Sequence, residues 1–221
     1  MMGFGMAGSA SGKPGFGQLP VVGYLSAGAR NSIADISGVQ VGHFTRAEGA
    51  TRNGVTVIRP HALDPFQNKV PAGAAVINGF GKSAGLMQLM ELGQIETPIV
   101  LTNTFAVPAM VSALTRACIR RNPETGRMLP TVNPLVLECN DGYLNDIQRQ
   151  SLGEAEFMAA CQDIGADFAQ GAVGAGRGMS SFQLKGGIGS ASRRAELANG
   201  ASHLVGALVL ANYGVLSNLV W

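Results

Sequence analysis

Short apolar blocks, separated by glycine-rich or polar stretches, set the rhythm of this chain. Residues 39–43 alternate apolar and polar, which predicts a strand. Residues 54–59 predict a second, with Asn53-Gly54 as the turn before it. Residues 74–78 form a third apolar run that enters the glycine-rich stretch Asn78-Gly-Phe-Gly-Lys-Ser-Ala-Gly85. Ser83 is placed to cap a helix reaching about residue 91, and Gly93 to end it. Residues 99–103 read as a buried strand. Pro108 then opens a helix that ends near Arg120 and Arg121, cations of the favourable sign for a helix C-terminus. Residues 122–129 read as a surface loop, 134–139 as a strand, and 154–168 as an amphipathic helix with acids in its first turn. Residues 180–185 look like one strand between glycine loops. Residues 204–211 form a last strand, broken by Asn212-Tyr213-Gly214. Strands and helices interleave without a strict βαβ rhythm, so the pattern predicts a layered α/β or α+β sandwich in place of a doubly wound sheet.

Composition narrows the class. A chain of 221 residues, 46% hydrophobic and only 14% charged, buries a sizeable core and does not read as disordered. The net charge is +2 and basic residues are not clustered, which excludes an ordinary nucleic-acid surface. Cys118, Cys139 and Cys161 are widely spaced and odd in number, which argues against a disulfide framework or a zinc site. Reduced thiols are consistent with a cytoplasmic protein, with a periplasmic location as the alternative. No segment reads as a secretory signal, and the apolar stretch 204–221 is too short and too polar to span a bilayer. Residues 1–30, rich in Gly, Ser and Ala, read as a flexible N-terminal arm; residues 31–221 carry the fold.

The densest candidate chemistry follows the strand at 134–139. Glu138, Asn140, Asp141, Tyr143, Asn145 and Asp146 crowd around Gly142, a turn residue expected to use its access to positive φ. Polar groups at the end of a buried strand are where open α/β sheets build sites. Other motifs fail. Gly81-Lys82-Ser83 ends like a phosphate-binding loop, but Val76 stands where the required first glycine belongs. Gly174-Ala-Gly-Arg-Gly178 brings its third glycine one residue early for a dinucleotide fingerprint. His43, His61 and His203 are scattered, and no G-x-S-x-G elbow is present. The chain thus offers polar groups but no evident nucleophile or base.

Several segments, in order, resemble the self-processing L-aminopeptidase/D-esterase and β-peptidyl aminopeptidase family. They are Ile33-Ala-Asp-Ile-Ser-Gly-Val-Gln-Val-Gly42, Arg52-Asn-Gly-Val-Thr-Val-Ile58, Glu138-Cys-Asn-Asp-Gly-Tyr-Leu-Asn-Asp146, Ala172-Val-Gly-Ala-Gly-Arg-Gly-Met179, Phe182-Gln-Leu-Lys-Gly-Gly-Ile-Gly-Ser-Ala-Ser-Arg193 and Ala211-Asn-Tyr-Gly214. The resemblance implies a layered αββα sandwich of N-terminal-nucleophile-hydrolase type. It also implies a precursor that cuts itself before a serine. This chain would be the larger α subunit, and the nucleophile would be the first residue of a separate β chain. The amine of that serine takes its own hydroxyl proton, so no histidine is needed.

By the same resemblance Tyr143 and Asn212 are the catalytic residues of this chain, as donors to the oxyanion. Glu138 either holds the ammonium group of the substrate or pairs with an arginine such as Arg177. Gly174 and Gly176, with Gly178, either line the acyl pocket or serve packing. The implied partners are the β chain of the same precursor, a small peptide or amino-acid amide or ester, and further αβ pairs in a homo-oligomer. No cofactor or metal, no nucleic acid and no membrane is implied. The alternatives are an acyl transferase like the ornithine acetyltransferases, which use a threonine nucleophile, and a catalytically silent scaffold.

Overall fold

The computed structural model describes residues 23–219; residues 1–22 of the expected arm, and the last two residues, lie outside them. The end of the arm that is described is anchored. The Arg194 N–H donates to the Ser26 carbonyl at 2.8 Å, and the Gly28 N–H to Ser192 Oγ at 3.0 Å.

The first two strands, β1 (Gln40–Glu48) and β2 (Thr51–Arg59), form a hairpin across Gly49-Ala50. Gly49 supplies the positive φ (53°) that this turn needs. Asn53-Gly54, expected as a turn, lies inside β2 instead. Asn53 is buried and donates from Nδ2 to Ser151 Oγ at 3.0 Å, while its Oδ1 finds no partner among the described residues. After the short β3 (Val70–Pro71) the chain crosses an open loop to α1 (Leu86–Leu92), then β4 (Gln94–Ile95), which pairs with β3. The apolar run at 74–78 is not a strand: Ile77 is fully exposed and Val76 is 54% exposed. The chain meets the free edge of the main sheet later, at Ala84, whose N–H and C=O both bond Val136. Gly85, not Ser83, caps α1, at φ 91°; Gly93 ends it at φ 64°, as the sequence predicts.

Next come β5 (Ile99–Asn103), α2 (Val107–Arg121), β6 (Leu135–Cys139) and α3 (Glu154–Gln162). The main sheet runs β1-β2-β5-β6, antiparallel except for the β5–β6 pair that α2 connects. α3 stops six residues before the predicted end. Gly165 is captured by the edge of β1 through two hydrogen bonds with Val41, and Asp163 accepts the His43 N–H at 2.9 Å. Those bonds compete with another helical turn and win.

A 3-10 turn at Gly174–Gly178 leads to the two-residue strands β7 (Ser180–Ser181) and β8 (Leu184–Lys185). The segment predicted as one strand is therefore a tight hairpin. It is followed by β9 (Gly187–Glu196) and β10 (Ser202–Ala211), an antiparallel pair in full register. β9 is hidden in the sequence because its inward positions include Ser190 and Ser192. Their hydroxyls accept the Ile33 and Gly28 N–H groups and donate to the Ala207 carbonyl and to Asp35.

Three layers result. Val55, Val57, Val100 and Val136 face Met110, Leu114 and Phe157 of α2 and α3, and each such buried side chain contributes roughly 1.5–3 kcal/mol. The other face of the sheet packs Val41, Ile58 and Leu101 against Ile188, Leu208 and Leu210 of the β9–β10 pair. On its outer side that pair leaves Val205 and Val209 more than half exposed. Among the described residues no helix is long and apolar enough to cross a membrane.

Candidate active site

β5 and β6 run parallel, so Asn103 and Cys139 end side by side at one edge of the sheet. The chain leaving β6 turns at once. The Asn140 side chain accepts the Gly142 N–H at 2.8 Å, an Asx-type turn that closes without the positive φ expected of Gly142. Asp141 points inward. It is 1% exposed and accepts from Asn103 Nδ2 at 3.1 Å and from Asn145 Nδ2 at 3.0 Å. Asn103 Oδ1 in turn accepts the Ala106 N–H, and Asn145 Oδ1 the Arg52 N–H. Burial pushes the Asp141 carboxyl above its ordinary range, against the pull of the two amides. Asp141 therefore organises the loop from behind.

Two glycine contacts let the 3-10 turn press on this frame. A Cβ on Gly54 would sit 2.4 Å from the Gly174 carbonyl oxygen, and one on Gly178 only 2.1 Å from that of Arg52. Gly174 (φ 53°) leaves no room either, with Thr56 Oγ1 and His43 Nδ1 within 2.5 Å of a Cβ. Burial lowers the pKa of His43, which bonds Thr56 Oγ1 and the Ala169 carbonyl. That carbonyl can only accept, so Nε2 carries the proton.

The outward face of the same loop is open. Tyr143 is 77% exposed. Asn212, directly after β10, donates from Nδ2 to the Asn140 carbonyl at 2.9 Å and lies 3.6 Å from Met179 Sδ. Asn140, Gly142, Tyr143, Ser180, Asn212 and Tyr213 share one open cleft of about 480 Å³. Tyr143 and Asn212, far apart in sequence, thus meet at one cavity. The Tyr143 phenol makes no hydrogen bond among the described residues, and of the two Asn212 amide hydrogens one is held by the Asn140 carbonyl and the other faces only the Met179 sulfur, a weak acceptor that a ligand oxygen in the cleft would displace.

The other expected residues lie elsewhere. Glu138 is not on that cleft: its carboxylate accepts the Lys82 N–H at 2.7 Å and the Thr104 hydroxyl. It makes no ion pair with Arg177, whose buried Nε has no partner among the described residues. Gly174 and Gly176 are buried in the 3-10 turn, outside the lining of that cleft, in contacts too close for a side chain. A larger apolar hollow of about 640 Å³ lies under residues 72–83 and is lined by Leu86, Leu89, Ile95 and Leu137. Among the described residues no group of His, Cys, Asp and Glu is placed to hold a metal ion. Sequence reasoning misses Asn103 and Ser180, and names Asn145 and Tyr213 only as members of their motifs, without a role. Asn103 has a readable signal, a polar residue ending a buried strand; Ser180 has none.

Peptidase family S58 matches residues 31–221 of the chain. The β-peptidyl aminopeptidase BapA of Sphingosinicella xenopeptidilytica is 36% identical over 202 residues, which are 87% of this chain and 50% of that protein. The PH0078 protein from Pyrococcus horikoshii OT3 superimposes with a TM-score of 0.86 at 47% identity, over 88% of this chain and 57% of the other. The L-aminopeptidase D-Ala-esterase/amidase of Ochrobactrum anthropi, a variant among the N-terminal-nucleophile hydrolase folds, gives 0.80 at 34% identity, over 89% and 56%. The layered sandwich seen here is of that fold. The chain spans about half the length of the curated relatives it matches.

Proposed function

We infer the reaction from family membership: the chain belongs to peptidase family S58. We propose that it is the oxyanion-stabilising part of an N-terminal-nucleophile serine aminopeptidase, acting on short peptides, amides or esters that carry a free amine. The attacking hydroxyl comes from a serine that self-cleavage of a longer precursor exposes at the start of a second chain. The serine oxygen adds to the substrate carbonyl while its proton passes to the serine's own α-amine. The tetrahedral oxyanion is met by the Tyr143 phenol and the Asn212 amide. Collapse expels the leaving amine, which takes the proton, and water then releases the acyl group. A donor preset for that oxyanion contributes roughly 2.7–4 kcal/mol, because it is stronger in the transition state than in the ground state.

The observation that carries this reading is the meeting of Tyr143 and Asn212 at one open cleft. Glu138 is proposed to read the substrate ammonium from the neighbouring strand end, after releasing one of its present donors. The mature unit is proposed to be a homo-oligomer of cleaved pairs.

The test is mass spectrometry of the purified complete precursor, with hydrolysis of alanine and β-alanine p-nitroanilides. Two fragments, the smaller beginning with serine, and release of p-nitroaniline are expected. An intact precursor without hydrolysis would overturn the proposal, and a threonine at the new terminus would move it to acyl transfer.

A further inference from the structure

The hairpin β7–β8 turns through Phe182 and Gln183, between the paired residues Ser181 and Leu184. Both have left-handed backbone, at φ 51° and 63°. A two-residue loop of this kind favours Asn-Gly, and a bulky aromatic there is strained. Such strain persists only where the surroundings fix it, and it collects at functional sites.

The surroundings here are the residues that follow Asn212. The Phe182 N–H donates to the Tyr213 carbonyl at 2.6 Å, and the Ser181 hydroxyl reaches the same oxygen at 3.4 Å. The Phe182 ring meets the Tyr213 ring edge to face, with centroids 5.8 Å apart. Gly214, at φ 67°, lies so close that a Cβ would stand 2.8 Å from the Phe182 ring. The Leu216 N–H donates to Gln183 Oε1 at 3.2 Å. The foot of the hairpin is fixed as well: the Lys185 ammonium donates to the carbonyls of Gly176, Met179 and Gly186, at 2.9, 2.9 and 2.7 Å. Met179, fully buried at that foot, touches the Asn212 amide.

Asn212 is therefore held from both sides by one strained hairpin, through Met179 before it and through Phe182 against Tyr213 after it. We propose that Phe182 is a positioning residue: its tip contact with Tyr213 fixes the direction in which Asn212 presents its amide to the cleft. This rests on the peptidase reading above and deepens it. Phe182 itself touches neither the oxyanion nor the nucleophile.

The test is a double-mutant cycle in the complete, self-processed protein, read as kcat and KM on an aminoacyl p-nitroanilide. Phe182→Ala is expected to lower kcat about 3- to 10-fold, the worth of one aromatic pair, with KM changed less than about two-fold. Phe182→Tyr, which keeps the edge-to-face contact, restores kcat. In an Asn212→Ala background Phe182→Ala lowers kcat no further, because its path to the reaction is already cut. Losses that multiply across the two sites, or an unchanged kcat in Phe182→Ala, overturn the assignment. Phe182→Leu, which keeps the bulk, runs the same cycle if the alanine variant does not accumulate. A wild type that neither cleaves itself nor hydrolyses the substrate sinks the peptidase reading and this one with it. An active wild type sensitive to Asn212→Ala but with an independent Phe182 effect sinks the positioning role alone.

Discussion

Asp141 and Tyr143 stand two residues apart in one turn, the first 1% exposed and the second 77%. Behind the turn, Asn103, Asp141 and Asn145 use each other's donors and acceptors and tie the loop to β2 and β5. In front of it, Tyr143 makes no hydrogen bond among the described residues, and Asn212 keeps one amide hydrogen free of an oxygen partner. The rear satisfies itself and gains rigidity; the front leaves donors open over a cavity. A site that stabilises developing charge needs both, since an unheld donor would spend binding energy on its own ordering.

Substitutions should separate the two sides. The largest effect is expected at the front: Asn212→Ala and Tyr143→Phe each lower kcat roughly 10²–10³-fold while the urea midpoint stays put. A parallel loss of stability would mean that the front, too, is framework. Next comes Asp141→Asn, which turns an amide N–H toward either Asn103 or Asn145. It is expected to cost about 1–3 kcal/mol in urea unfolding, with kcat falling only as the loop loosens. Unchanged stability would remove the distinction between the two sides.

A smaller effect follows from charge. The Asp141 carboxyl is held above its ordinary 3.8 by burial. Its neutral form is thus favoured in the folded state, and that contribution is complete below the ordinary value. It is lost as pH rises through the raised folded value. Glu154 and Glu156 act oppositely, in a lower window. Arg116 and Arg120 hold Glu154 down; for Glu156, burial raises the carboxyl but the Gly153 N–H and Arg46 outweigh it. Stability curves of the wild type and Asp141→Asn, compared from pH 3 to 7, should differ most at the acid end, where the wild type gains the neutral-carboxyl contribution that the variant lacks, and parallel curves would contradict the burial argument. The smallest effect is expected at the surface pair Arg30–Asp167, where Arg30→Ala should change stability by less than about 0.5 kcal/mol.

The sequence carries much of this arrangement, and the reasons for the rest are local. β5, β6, α2 and β10 are readable because their apolar runs are continuous and bounded by Pro, Gly or Asn. The apolar run at 74–78 takes no place in the sheet, whose edge is met instead by Ala84. β9 is silent because beyond Ile188 its inner face carries Ser190 and Ser192, which bond the chain at 28–33. Of the site, Tyr143 stands out in the polar cluster after β6, but its pairing with Asn212 is legible only through resemblance, since spacing cannot bring the residues after β6 and β10 together. The roles expected for Gly174 and Gly176 divide between pocket and packing. Both glycines lie where a Cβ would meet atoms within 3 Å, which supports packing.

The most direct measurement is a crystal structure of the complete mature protein with an aminoalkyl boronic acid bound to its nucleophile. The account predicts a tetrahedral boronate on a terminal serine, one oxygen lying 2.7–3.1 Å from both the Tyr143 hydroxyl and the Asn212 amide nitrogen, as oxyanion donors require. A boronate seated on the serine with both of those groups turned away from its oxygens would contradict it.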